Sequence, residues 1–332
     1  MKILVTGTAG FIGYFVAKQL LEEGHAVIGI DNVNDYYDVN LKEARLNKLK
    51  AFENFKEERI NLADKINIDR VFREHKPQRV INLAAQAGVT YSLKKPQAYV
   101  DSNITGFLNI LEGCRDNDVQ HLVFASTASV YGGSKIMPQS EKDSCNHPLS
   151  LYGATKKANE MMAHSYSHLF SIPITGLRFF NCYGPWGRPD MALFIFVKNI
   201  IEGKPINVHN FGKMKRDFTY VEDIAKGVVL TALGEVPVIA EENDNDKSAV
   251  APFKIYNIGN NSPVDLMYYI ECIEKELGKK AIINFVPIQP AEIEKSWADS
   301  SKLMKDYGYK PQTKIEDGVH EFVKWYREFY GV

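Results

Sequence analysis

Of 332 residues only four are cysteine, Cys114, Cys145, Cys182 and Cys272, and they lie far apart. No CxxC pair and no short Cys/His spacing occurs, so neither a zinc site nor a disulfide framework is indicated; reduced, buried thiols are the expectation. Charge of one sign is missing too: 40 Lys and Arg stand against 41 Asp and Glu. Nucleic-acid binding needs a basic excess that this chain lacks, so any anionic partner must be met by a local cluster of donors. No apolar run approaches the ~18 residues of a membrane span, and the opening MKILVTGTAG runs straight into a strand, too short for a signal segment. No membrane association and a cytoplasmic location follow as expectations. Repeats are absent, and the one acidic tract, residues 241–246, reads as a solvated surface insertion. His164 and His168 share a helix face but have no intervening Glu, so no metal is expected there.

What is present is a rhythm. Short β-branched runs at 2–7, 26–31, 55–60, 79–83, 122–126 and 174–178 alternate with helical patterns near 11–23, 40–50, 65–75, 99–117 and 152–170. Runs such as VINLA and LVFAS are continuously apolar, as strands buried on both faces should be. The alternation predicts an α/β fold, a Rossmann-type doubly wound parallel sheet. After 178 the rhythm breaks into a turn-rich loop at 181–189, then helices near 191–201, 221–232, 264–277 and 315–330. Extended segments fall at 205–209, 255–258 and 282–286. The expected organisation is a dinucleotide-binding domain over 1–180, with segments near 220–232 and 255–260 returning to it. A smaller α/β substrate-binding domain then occupies most of 181–332.

The first strand ends in Gly7-Thr8-Ala9-Gly10-Phe11-Ile12-Gly13 and then a helix. Glycines let the backbone approach a pyrophosphate, and the helix N-terminus offers unpaired N–H groups. Asp31 ends the second strand, where a carboxylate accepts from the adenosine ribose and repels a 2′-phosphate. No Arg follows within the next dozen residues, so NAD is expected rather than NADP.

Four Tyr-x-x-x-Lys pairs occur: Tyr14/Lys18, Tyr91/Lys95, Tyr131/Lys135 and Tyr152/Lys156. The first falls in the helix after the glycine turn. Pro96 and the Gly132-Gly133 pair spoil the next two as helices. Only Tyr152 and Lys156 open a long helix, on one face at i,i+4. Lowering a phenol from about 10 to about 7 takes roughly 4 kcal/mol, which a nearby ammonium and an oxidised nicotinamide are expected to supply. The tyrosinate then removes a hydroxyl proton while the hydride leaves. Ser126-Thr127-Ala128-Ser129, after the fifth strand, offers a third group to hold that hydroxyl.

The segments VTGTAGFIG, NLAAQAGV, YVDSNITGFLNILE, FASTASVYG, SLYGATKKANE, LRFFNCYGPWGRPDM, GKMKRDFTYVEDIA and ADSSKL stand in order over nearly the whole chain. In these the sequence resembles the extended short-chain dehydrogenase/reductase family, its nucleotide-sugar 4-epimerases, and among them the UDP-glucuronate 4-epimerases. The resemblance implies Tyr152 as base, Lys156 as its partner and Thr127 as the third hydroxyl. It implies that Gly7, Gly10, Phe11, Ile12, Asp31 and Asn32 hold NAD, with Asn61, Leu62, Leu83, Ala84, Ala85 and Asn103 around adenine, ribose and phosphate. A UDP-sugar would be met by Thr90, Thr127, Ala128, Ser129, Tyr152, Asn181, Arg188, Val208 and Arg216, with Met191, Phe194 and Phe196 either lining the uracil pocket or packing in the core. The implied reaction removes the C4 hydride, turns the 4-keto hexose over and returns the hydride, UDP-glucuronate becoming UDP-galacturonate in a polysaccharide pathway. The chain departs from that group at Thr90, Ala128 and Asn181, near C5 of the sugar, and has Asn61 where Asp is usual. UDP-glucose or UDP-N-acetylglucosamine epimerisation and UDP-glucuronate decarboxylation are therefore the alternatives within the family. A catalytically silent NAD-binding sensor is the alternative outside it. Ala128-Ser129 replaces the Asp-Glu pair of related 4,6-dehydratases, so dehydration lacks its catalysts. A homodimer through helices near 99–117 and 152–170 is also implied.

Overall fold

In the computed structural model residues 1–239, 250–289 and 292–332 are described, and the acidic tract at 241–246 lies outside them. The first half supplies strands Lys2–Thr6 (β1), Ala26–Asp31 (β2), Phe55–Arg59 (β3), Arg79–Asn82 (β4), His121–Thr127 (β5) and Ile174–Phe179 (β6). Between them run helices Phe11–Glu22 (α1), Val39–Leu49 (α2), Lys65–His75 (α3), Tyr91–Lys94 (α4), Pro96–Tyr99 (α5), Gly106–Asp116 (α6) and Leu151–Phe170 (α7). The second half carries Asn181–Tyr183 (β7), Ala192–Ile201 (α8), Ile206–Val208 (β8), Lys215–Tyr220 (β9), Val221–Leu233 (α9) and Phe253–Ile258 (β10). Pro263–Asp265 (β11), Leu266–Leu277 (α10), Ile283–Phe285 (β12), Lys295–Ser296 (β13), Ser301–Tyr307 (α11) and Ile315–Tyr330 (α12) complete it.

Seven strands form one sheet in the order β3-β2-β1-β4-β5-β6-β10, every neighbouring pair parallel. This is the doubly wound arrangement that the apolar runs predict. The chain reverses direction between β1 and β4, and a crevice opens there at the C-terminal strand ends. On one face α1 and α9 pack through Val16, Leu20, Ile224 and Val228. On the other, Val71 and Phe72 of α3 meet Ile110 and Leu111 of α6. The last strand, β10, arrives from far down the chain and covers the edge of β6 in register from Ile174 to Phe179.

A second core is strongly aromatic. Phe194 of α8 meets Phe322, Trp325 and Tyr326 of α12, with ring centroids 6.1, 6.3 and 5.3 Å apart. Such rings bury large apolar areas, so α12 is held by its aromatic stripe. Trp186 packs against both cores.

The structure departs from the sequence expectation in two ways that matter to the site. The helix expected over 99–117 is interrupted: Val100–Thr105 forms a π-helical turn between α5 and α6. The wider turn carries Asn103 inward, a distortion often found at functional sites. The loop expected over 181–189 begins as a strand, since β7 pairs in parallel with β9. Two- and three-residue strands such as β11 and β13 carry too little pattern to be read from the sequence.

Candidate active site

Sharp turning at the end of β1 creates the floor of the crevice. Gly7 sits at φ +82°, and a Cβ on it would fall 2.9 Å from the Ala84 nitrogen. A Cβ on Gly13 would fall 2.0 Å from the Gly7 carbonyl oxygen. Only hydrogen fits at either point, so β1 and α1 come close enough to leave room for a phosphate. Gly10 is the N-cap of α1, with no side-chain cap. The first-turn N–H groups are thus left for a ligand, as an anion site requires.

Asp31 stands beside this turn. Its Oδ2 accepts the Ala9 N–H at 3.0 Å and its Oδ1 the Val33 N–H at 2.8 Å. Burial pushes its pKa up, against those two bonds and the charges of Lys42 and Arg45. Each oxygen keeps a lone pair, as two ribose hydroxyls need. Lys42, which the sequence reading passed over, is buried in the same crevice and gives two protons to Asn34, at 2.6 Å to its carbonyl and 2.7 Å to its Oδ1. Burial lowers its pKa and the nearby Asp31 charge opposes that. Its only sequence signal is its place on the inward face of α2.

Ser150 caps α7 by accepting the Gly153 N–H at 3.0 Å. The cap fixes where the helix starts, so Tyr152 comes in the first turn and Lys156 one turn on. Both face the cleft alongside Thr127 at the end of β5. Lys156 is 2% exposed; burial pulls its pKa down to about 8, and the charge of Glu160 opposes that. Burial pushes the Tyr152 phenol up, while Thr127 and the charge of Arg188 pull it down. Thr127 Oγ1 accepts the Ser129 N–H at 3.2 Å, so its own proton is directed toward the Tyr152 oxygen at the cleft.

Two supports lie behind these residues: Glu160, which the sequence did not single out, and Asn103, expected at the cofactor. Glu160, on α7, takes a bidentate pair from Arg178 at 2.8 and 2.9 Å, a bond from Ser126 Oγ at 2.6 Å and one from Lys157 at 3.0 Å. Arg178 also donates to Tyr131 Oη at 3.0 Å. Asn103 accepts the Gln86 N–H at 2.8 Å and donates to Gln86 O at 3.1 Å and Thr155 Oγ1 at 3.0 Å. It ties the loop after β4 to the catalytic helix rather than facing the cleft.

The cleft has a volume of about 590 Å³. It brings together Gly7, Gly10, Phe11, Ile12, Asp31, Asn32, Asn61, Leu62, Leu83, Ala84, Ala85, Thr127, Tyr152, Lys156, Asn181 and Arg188. Arg188 forms a bidentate pair with Asp190 at 2.9 and 2.5 Å. At the far end Phe218 and Tyr269 stack at 4.1 Å, beside Met191 and Phe194. Phe196 is absent from that lining and is buried in the aromatic core. Other expected residues stay outside the cleft. Thr90 is exposed at the start of α4. Ala128 and Ser129 turn away in a 3₁₀ turn. Val208 is wholly buried in the second core. Arg216 is spent on the carbonyls of Lys215, Glu294 and Ile293 at 2.9, 2.9 and 2.5 Å.

The glycine turn and Asp31 match the needs of a dinucleotide, and Thr127, Tyr152 and Lys156 those of a proton transfer beside it. Comparison with known proteins identifies the family. The family model described as GDP-mannose 4,6 dehydratase matches residues 4–322. Protein CapI of Staphylococcus aureus is 51% identical over 99% of both chains. A probable UDP-glucuronate 4-epimerase of Rhizobium meliloti is 45% identical over 99% of this chain and 98% of its own. Among solved structures, UDP-glucuronic acid 4-epimerase from Bacillus cereus, in complex with UDP-glucuronic acid and NAD, superposes with a TM-score of 0.89. It is 33% identical, over 99% of this chain and 100% of that one. The chain therefore belongs to the GDP-mannose 4,6-dehydratase family within the extended short-chain dehydrogenases/reductases.

Proposed function

We propose that the protein is an NAD-dependent isomerase that interconverts UDP-glucuronate and UDP-galacturonate by epimerisation at C4. The observation that carries this reading is the convergence of Thr127, Tyr152 and Lys156 on the cleft whose floor is the glycine turn. The names of the R. meliloti and B. cereus relatives support it. Asp31 would hold the adenosine ribose, the α1 N-terminus the pyrophosphate and Lys156 the nicotinamide ribose. NAD, when bound, accepts the C4 hydride and gives it back.

The residues present divide the remaining work. Thr127 turns its proton from Tyr152 to the sugar's 4-oxygen and holds it. Tyr152 takes the 4-hydroxyl proton as C4 is oxidised, and the positive charge that its buried phenol needs is one that Lys156 and a bound oxidised nicotinamide would supply. The 4-keto sugar turns over at its link to the diphosphate and is reduced on its other face, Tyr152 returning the proton. No net oxidation occurs, so the outcome is an isomer. Arg188, held in its pair with Asp190, is the cleft cation that would have to share its guanidinium with a uronate carboxylate. Despite the family's name, dehydration is not proposed: Ala128 and Ser129 give neither acid nor base where elimination needs both.

A second reading, a neutral UDP-hexose, rests on Asn181, which lines the cleft with an amide where the uronate enzymes are expected to present a hydroxyl. Incubation of the purified protein with UDP-glucuronate, UDP-glucose and UDP-N-acetylglucosamine, followed by NMR of the products, decides between them. UDP-galacturonate is expected. Its absence beside turnover of UDP-glucose sinks the first reading, and no turnover of any of them supports a silent NAD-binding protein. The same reading places the enzyme in the cytoplasm, in polysaccharide precursor synthesis, as a homodimer. Exposed Val100, Leu108, Met161 and Leu169 on the 99–117 and 152–170 segments are the apolar surface it would cover. Among the described residues no helix is long and apolar enough to cross a membrane. Sedimentation as a monomer overturns the dimer.

A further inference from the structure

Epimerisation sets a demand that an ordinary dehydrogenase does not face: the reduced cofactor must stay in place until the oxidised sugar has turned. The structure has a device suited to that demand in the loop 184–190, between β7 and α8. Gly184, Gly187, Arg188 and Asp190 line the same cleft as Gly10 and Asp31, so the loop forms a wall of the space a dinucleotide would fill. It is fastened at two places to the opposite side. Near its start, the fully buried Arg45 of α2 donates to Trp186 O at 2.5 Å and to Ala9 O of the glycine turn at 2.7 Å. At its end, Tyr36, from the segment after β2, donates its hydroxyl to Asp190 Oδ2 at 3.0 Å.

Tyr36 itself is well placed. Its ring lies 4.5 Å from that of Tyr91 and 5.9 Å from the Arg188 guanidinium. Its hydroxyl sits so close over Gly88 that a Cβ there would lie 2.7 Å away. The bond to Asp190 thus joins three walls: the segments after β2 and β4 and the loop 184–190. Arg45 is buried and acts as a permanent hinge pin. Tyr36 and Asp190 lie at the mouth, where a single bond can open and close.

We propose that the loop 184–190 is a strap across the cofactor cleft and that the Tyr36–Asp190 hydrogen bond is the fastening that retains NAD between the two hydride transfers. The need for retention rests on the epimerase reading; the fastening itself does not. The test measures the dissociation rate of NAD from the holoenzyme, by exchange against labelled NAD without sugar present. Tyr36→Phe, Asp190→Asn and the double variant are compared with the wild type. Deleting a hydrogen bond to a charged acceptor is expected to raise the rate about tenfold in Tyr36→Phe, and Asp190→Asn, which also loses the charge that pairs with Arg188, should raise it at least as much. The double variant should be no faster than Asp190→Asn alone, because losing that carboxylate already removes most of what Tyr36 holds. An unchanged rate in Tyr36→Phe, or single effects that multiply in the double variant, overturns the strap. Should Asp190→Asn fail to fold, Tyr36→Phe decides alone, since it deletes one oxygen. Faster NAD loss in a protein that leaves UDP-glucuronate unturned sinks the epimerase reading and keeps the strap; unchanged NAD loss with turnover intact does the reverse.

Discussion

Replacing Glu160 with Gln should cost more stability than any change at a surface ion pair of this protein. The carboxylate is 3% exposed and accepts four hydrogen bonds between 2.6 and 3.0 Å, two of them from Arg178. An amide keeps the volume but removes the charge and turns an NH₂ toward donors, so the buried guanidinium is left uncompensated. Breaking such a pair from one side costs about 3–5 kcal/mol, against about 0–1 for an exposed pair such as Lys65–Asp69. Urea unfolding of both proteins at the same saturating NAD concentration measures it, since cofactor binding adds its own stabilisation and must be held equal. Burial raises the Glu160 pKa, but the bonds and charge of Arg178, with Lys157 and Ser126, leave it below the ordinary value. Its stabilising share is thus present above the unfolded pKa, near 4.5, and disappears as pH falls through the lower folded value. The deficit of Glu160→Gln should therefore be full at pH 7 and shrink in acid. A joint Glu160→Met and Arg178→Met variant should recover part of the loss, because both charges leave together. A single-variant cost under about 1 kcal/mol, or a joint variant as weak as the two singles added, would refute this account.

Further outcomes can be checked at the site. Burial lowers Lys156 to about 8, so its ammonium is lost as pH rises through that value and turnover should fall on the alkaline side. Lys156→Arg keeps the charge and should flatten that limb at a reduced rate; a limb of the same shape would point to another group. Tyr152→Phe should lower kcat by roughly 10²–10⁴-fold, the range for a lost general acid–base, with NAD still bound; near-normal turnover would remove Tyr152 from the mechanism. Asp31→Ala deletes both ribose acceptors and should weaken NAD roughly 10- to 100-fold, read by fluorescence titration, and an unchanged Kd would place the ribose elsewhere. Gly13→Ala puts a methyl group 2.0 Å from the Gly7 carbonyl and should lower the Tm and abolish NAD binding together.

The sequence was most informative where a physical period was sustained. Six strand positions of the large sheet and the glycine turn were legible because both-faces-buried strands leave continuous apolar runs, and the turn leaves glycines. Tyr152 was separable from three rival pairs because Ser150 and an uninterrupted helix follow one another there. The break at Val100–Thr105 was not legible: a π turn changes hydrogen-bond register without changing residue type. Glu160 and Arg178 were hidden for another reason. They are 18 residues apart, on a helix and on a strand, and only the packing of α7 over the sheet joins them. Arg216 looked like a diphosphate ligand by its chemistry, yet that same chemistry is spent on three backbone carbonyls. Residue type identifies what a group can bind, and only the fold decides what it does bind.

The strand β10 has a consequence for how the chain is made. Synthesis delivers β1 to β6 early, and they can pair as they appear. Yet the outer edge of β6 stays uncovered until residues 253–258 have been made, some 75 residues later. During that interval the growing chain presents a row of unpaired backbone groups on an apolar strand, the kind of surface that seeks another strand. A chain ended before residue 253 would keep that open edge for good. Nonsense or frameshift lesions that fall after β6 and before residue 253 should therefore give aggregates rather than a free-standing nucleotide-binding half. Any split-protein design that keeps the cofactor site must carry β10 with the N-terminal piece.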